Sequence, residues 1–143
     1  MEGGCRCGAV RYTIAPDTRL RVYCCHCLAC QSWTGSAFGQ QAPVPEDAFA
    51  VTGPITTYTY QTPSGATSTH SVCGKCHSRV FNANARLPGW LLVRAGTFDT
   101  SDAIEPVAHI WISRKQPWIG IPAGIPIFEE NASPEDFRAI LFG

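Results

Sequence analysis

Cys73-Gly74-Lys75-Cys76 is a CxxC knuckle, and its reading together with Cys5-Arg6-Cys7 decides how this sequence folds. The glycine lets the backbone turn tightly, so both thiolates can point at one ion. In an extended segment residues i and i+2 share a face, so Cys5 and Cys7 can also aim at a common centre. Together they supply four sulfurs, the closed tetrahedral set of a structural zinc. The two pairs stand far apart in the sequence, so such a site ties an N-terminal strand to the middle of the fold.

A second group is Cys25-His26-Cys27-Leu28-Ala29-Cys30, which carries three sulfurs. Three protein ligands with an open position are the arrangement of a catalytic zinc. A fourth position taken by water or a substrate thiol matters because zinc lowers the pKa of either and gives a nucleophile at neutral pH. Other readings stand beside these. The cysteines can be free or disulfide-bonded, and Cys24 or a histidine can complete a second closed site. Cys73-Gly74-Lys75-Cys76-His77 also has the c-type haem attachment pattern, although that attachment belongs mostly to exported proteins. No βαβ pattern surrounds the knuckle, which weakens a thioredoxin-like use. Cys24 points opposite to Cys25 in an extended chain and reads as a small buried residue outside both groups.

The length, 143 residues, suits one domain, here residues 1–143. Net charge is zero, so the electrostatic footprint of a duplex-DNA or anionic-membrane binder is missing. No apolar run is long enough to span a bilayer. Met1-Glu2-Gly3-Gly4 runs straight into Cys5 with no signal-peptide pattern, so a cytoplasmic location is expected. In a reducing compartment eight cysteines read as metal ligands before disulfides.

Thirteen glycines and eleven prolines favour short strands joined by turns. Strands are expected over 10–14, 48–53, 55–61, 67–72, 79–82, 90–95 and 107–112, with 20–23 leading extended into the second cysteine group. Pro63-Ser64-Gly65 predicts the turn of a hairpin, and a short turn is expected near residues 45–49. One helix is predicted at the end. Ser133 is its cap, Pro134 its first residue, Glu135 and Asp136 its acidic first turn, and Phe137, Ile140 and Leu141 its apolar stripe. His26, His70, His77 and His109 read as surface or hydrogen-bonded residues rather than ligands. His26, beside the second group, is the one suited to a polar role there. The four tryptophans read as core, with Trp33 and Phe38 also placed to wall a substrate pocket.

The order CxC, CxCxxC, CxxC resembles the glutathione-dependent formaldehyde-activating (GFA) family. The matching pieces are Gly4-Cys5-Arg6-Cys7-Gly8-Ala9-Val10-Arg11-Tyr12, the Cys25-to-Cys30 group, Thr34-Gly35-Ser36-Ala37-Phe38 and the knuckle. Gly96-Thr97-Phe98-Asp99, and His109-Ile110-Trp111 on through Lys115 to Trp118, complete the set. The resemblance implies a mainly β fold of small antiparallel sheets in a complex sandwich around a structural zinc, with one short C-terminal helix. It is similar to a guanine-nucleotide-release chaperone of small GTPases. The resemblance implies that Cys5, Cys7, Cys73 and Cys76 hold the structural zinc, and that Cys25, Cys27 and Cys30 form the catalytic zinc or thiol-binding site, whose ion a substrate can displace. The activity implied joins glutathione to formaldehyde and is classed with carbon–sulfur lyases; such an addition needs a proton donor to the new hydroxyl, which stays unassigned, with His26 a candidate from its place beside the second group. Its partners are then a small-molecule thiol and an aldehyde. The competing expectation is a non-enzymatic zinc-binding module that binds a protein partner; such a module has no use for an open three-sulfur site.

Overall fold

The computed structural model describes residues 1–62 and 65–143. They are mainly β, with strands in two sheets and two α-helices. No helix among the described residues is long and apolar enough to cross a membrane. Two compact units are present, one formed by Met1–Leu20 with Ala42–Ile104 and the other by Arg21–Gln41 with Glu105–Gly143.

The first unit holds a three-stranded antiparallel sheet of β1 (Glu2–Gly4), β2 (Arg11–Ile14) and β5 (Phe49–Thr52), with β2 in the middle. The alternation of β2 turns Tyr12 and Ile14 inward and leaves Arg11 and Thr13 outside. Tyr12 meets Phe49, and Phe49 meets Phe81, with ring centroids 5.1 and 5.0 Å apart. Gly3 lies against the Tyr12 hydroxyl and the Thr97 carbonyl so closely that any Cβ there would clash. The unit also carries a ladder in the order β9 (Trp90–Arg94), β8 (Arg79–Asn84), β7 (Thr67–Cys73) and β6 (Ile55–Gln61). β6 and β7 pair antiparallel from Ile55↔Cys73 to Gln61↔Thr67, as the predicted hairpin requires. Its predicted turn at Pro63-Ser64 lies outside the described residues.

A buried polar chain crosses three of these strands. Arg79 Nη2 bonds His70 Nδ1 at 2.8 Å, and His70 Nε2 bonds Ser68 Oγ at 3.2 Å. Asn82 Nδ2 donates to the same Ser68 Oγ at 3.2 Å, while Asn82 Oδ1 accepts from Arg94 Nη2. An arginine has only donors, so His70 Nδ1 accepts and Nε2 carries the proton. Burial, with Arg79 and Arg94 nearby, lowers the His70 pKa to about 3 and keeps the ring neutral.

The second unit is built around β3 (Tyr23–Cys25), all three of whose residues are buried. It pairs antiparallel with the first residues of β4 (Gly39–Pro45) and parallel with β10 (Ala108–Ile110). β10 is shorter than the expected strand over 107–112. Trp111 adopts a left-handed backbone, φ 58°, and its main-chain N–H bonds the Glu130 carbonyl, so the ladder ends there. A helix that the β-rich reading did not assign, α1 (Leu28–Thr34), starts inside the CxCxxC group. The expected terminal helix is α2 (Pro134–Phe142), and its cap is as read: Ser133 Oγ accepts from the Asp136 N–H at 3.1 Å. Phe137, Ile140 and Leu141 pack on Tyr23, Cys25, Cys30, Ala108 and Ile110 to make the core of this unit. Trp118 corrects the expectation that the tryptophans are core. It is 74% exposed, because its indole N–H is satisfied locally by Gln116 Oε1 at 2.7 Å.

Asn82 links Ser68 to Arg94 in the buried polar chain. Asn82→Leu should cost about 2 kcal/mol, the usual penalty for stranding buried donors, read as a lower midpoint in urea unfolding. A midpoint equal to the wild type would show that the chain adds nothing.

Candidate metal centres

The sulfurs of Cys5, Cys7, Cys73 and Cys76 all lie within 4.8 Å of one another. Cys5 and Cys7 are 3.5 Å apart at sulfur, and Cys7 and Cys73 are 3.8 Å apart. A tetrahedral zinc with Zn–S near 2.3 Å needs sulfur–sulfur edges of about 3.8 Å. The four-sulfur set therefore fits the ion. Local turns build it. Gly8 at φ 80° closes the turn after Cys7, and the Cys5 N–H then bonds the Val10 carbonyl while the Val10 N–H donates to Cys5 Sγ at 3.2 Å. In the knuckle, the N–H groups of Lys75 and Cys76 donate to Cys73 Sγ at 3.3 and 3.5 Å. His77, at φ 62°, turns the chain back so that Cys73 and Ser78 pair. The Ser78 hydroxyl, 3.2 Å from Cys76 Sγ, and the Ser78 N–H lower the Cys76 pKa to about 5. Cys5 and Cys73 are buried and Cys7 is exposed. The exposed side opens on a surface hollow of about 600 Å³ lined by Arg6, Cys7, Gly8, Ala9, Lys75 and Cys76.

The sulfurs of Cys25, Cys27 and Cys30 form a second group, again within 4.8 Å of one another. Cys25 ends β3, and Cys27 caps α1 by accepting the Cys30 N–H at 3.4 Å. The helix thus swings Cys30 back beside the other two sulfurs. Hydrogen bonds from Cys25 and Cys30 pull the Cys27 pKa well down, and the same contacts with Cys27 and Cys30 push Cys25 up. Cys27 is also the one of the three that is partly exposed. Gln31 anchors the helix: its Nε2 donates to the carbonyls of His26 and Arg114, each at 2.9 Å.

Histidines join neither group among the described residues. His26 is fully buried, and its ring bonds His109 Nδ1 through Nε2 at 2.8 Å and lies 5.1 Å from the Phe38 ring. Its Nδ1 meets no hydrogen-bond partner among the described residues. Burial, followed by His109 and Lys115, lowers the His26 pKa to about 4. Phe38 packs on this histidine pair, and Trp33 is partly buried on α1. Cys24 is fully buried, and burial raises its thiol to about 12, in keeping with an inert core residue. Two contacts to the clusters had no sequence signal strong enough to find them. Ser78 is two residues from Cys76, where any small polar residue looks alike. Gln41, which donates to Cys30 Sγ at 3.6 Å, reaches it through a strand register that no local pattern specifies.

The family model described as "Glutathione-dependent formaldehyde-activating enzyme" matches residues 1–114, which include all seven clustered cysteines. This chain belongs to the GFA family. A crystal structure of a Rhodobacter sphaeroides protein, solved as a structural-genomics target, is also similar to this GFA chain. The two are 20% identical with a TM-score of 0.53, over 74% of this chain and 92% of that one. At that identity the likeness shows a common fold. The family places a glutathione-dependent, formaldehyde-activating role behind this GFA chain in general terms.

Metal that closes the four-sulfur site also contributes folding free energy. Cys73→Ser should lower bound zinc by one equivalent per chain and lower the thermal midpoint, measured by elemental analysis beside a melting curve. Unchanged zinc content would refute Cys73 as a ligand.

Proposed function

We propose that this GFA protein is a zinc-dependent carbon–sulfur lyase-type enzyme that joins a thiol such as glutathione to an aldehyde such as formaldehyde. The product would be the S-hydroxymethyl thioether. The observation that carries the reading is the three-sulfur group of Cys25, Cys27 and Cys30, with Cys27 reachable from solvent. Cys5, Cys7, Cys73 and Cys76 are assigned to a structural zinc. Cys25, Cys27 and Cys30 would hold the second ion and are the residues assigned to catalysis.

Bound there, zinc supplies a Lewis acid that keeps a thiol sulfur ionised at neutral pH. The chain's own residues do the rest. β3 fixes Cys25, the first turn of α1 fixes Cys27 against Cys30, and Gln31 locks the helix to its surroundings. The aromatic and aliphatic core around the cysteines keeps water from two of the three sulfurs. The substrate sulfur arrives on the Cys27 side. Its electron pair forms the new bond to the aldehyde carbon, the carbonyl π bond breaks toward oxygen, and the thiol proton ends on that oxygen. Proximity of the two reactants is the main contribution asked of the protein. His26 is given no part in this proton transfer, since its ring is buried on His109 and Phe38.

Cys27→Ser should retain one zinc per chain and bring adduct formation down to the rate of glutathione and formaldehyde mixed alone, followed by exchange NMR with ¹³C-formaldehyde. Adduct formation at the wild-type rate in this variant would overturn the assignment.

A further inference from the structure

Tyr23 and Gln41 face each other across β3 and β4. Tyr23 Oη donates to Gln41 Oε1 at 2.7 Å, and Gln41 Nε2 donates to Cys30 Sγ at 3.6 Å. All three residues are buried, with exposures of 3%, 7% and 6%. A primary amide has one accepting end and one donating end, a phenol hydroxyl can do either, and an ionised sulfur only accepts. With the tyrosine proton on Oε1, the amide has a single orientation, and its N–H group is turned to the sulfur. A glutamine buried for packing alone carries a desolvation cost that an apolar residue of its size avoids. Its hydrogen bonds offset that cost, and one of them ends on a cysteine of the second cluster.

We infer that Gln41, oriented by Tyr23, is a positioning residue that stabilises the Cys30 sulfur as a metal-ligating thiolate and so sets how tightly the second cluster holds its ion. This rests on the reading of Cys25, Cys27 and Cys30 as a metal site. The hydrogen-bond partners of metal ligands commonly change affinity by about 10- to 100-fold. The N–H donor also withdraws charge from the sulfur, which makes a thiolate harder to oxidise.

The test uses the whole chain, stripped of metal and titrated with Co²⁺ against a chromophoric chelator. The wild type should take two equivalents. In Gln41→Leu the weaker step should lose about tenfold or more in affinity while the tighter step stays in place. The thiolate-to-cobalt absorption should also move to longer wavelength, because a sulfur without its donor gives up an electron more easily. Unfolding would abolish that band rather than shift it. Gln41→Met is close in size with no hydrogen to donate and should behave alike; it decides the matter where Gln41→Leu does not fold. Tyr23→Phe should lose less, and Tyr23→Phe/Gln41→Leu should be no weaker than Gln41→Leu. Two equivalents in the wild type, with affinity and band unmoved in both Gln41 variants, would overturn the role of Gln41. A single equivalent in the wild type would instead overturn the metal-site reading and this inference with it.

Discussion

The contact between Cys5, Cys7 and the Cys73–Cys76 knuckle is the constraint on which the first unit depends. It brings the segment just after β1 to the end of β7, although the two are remote in sequence. Closing so long a loop carries an entropy cost. Two local turns bring the four sulfurs together, and an ion held there would fix their meeting. The same arrangement explains the glycines at its edges. Gly8 supplies the left-handed turn after Cys7, and Gly3 lets the backbone pass against Tyr12, the central residue of the small core. Stability in this unit therefore comes from a few cross-links of different kinds, sulfur at one place and the Arg79–His70–Ser68–Asn82–Arg94 chain at another, laid over a modest apolar core.

Much of this was legible in the residues, and the exceptions have physical causes. Period-two alternation marked β2, which buries one face, and β-rich runs bounded by turn residues marked β6, β7, β8 and β9. Ser133-Pro134 marked α2, because capping chemistry is local. β4 escaped: Gly39-Gln40-Gln41-Ala42-Pro43-Val44-Pro45 has two glutamines and two prolines and is held by its neighbours rather than by propensity. α1 escaped for a related reason. It is one short helix whose cap is a cysteine, and cysteine at a cap gives no sequence signal of the kind serine gives. The sulfur groups themselves were readable by spacing alone, since CxC and CxxC are geometric statements. Their hydrogen-bond partners were not, since Gln41 reaches Cys30 only through the pairing of β3 with β4.

The two groups of sulfur differ in surroundings, and the difference follows the chemistry each is assigned. Four thiolates around one divalent ion carry net negative charge. The first group meets that charge at the surface, where Cys7 is exposed and Arg6 and Lys75 line the same hollow. The second group is set against an apolar core of Tyr23, Ile110, Leu141 and their neighbours, which buries Cys25 and Cys30 and leaves Cys27 partly exposed. Charge in such a place is costly unless fixed dipoles replace the water. The chain supplies them as N–H groups aimed at sulfur: the main chain of Cys30 toward Cys27, and the side chain of Gln41 toward Cys30. Three sulfurs around a divalent ion leave less charge to stabilise than four. A buried site can therefore tolerate one more anionic sulfur only through its single partly exposed position, Cys27. Under the catalytic assignment, that burial would confine the approach of a substrate sulfur to the Cys27 side.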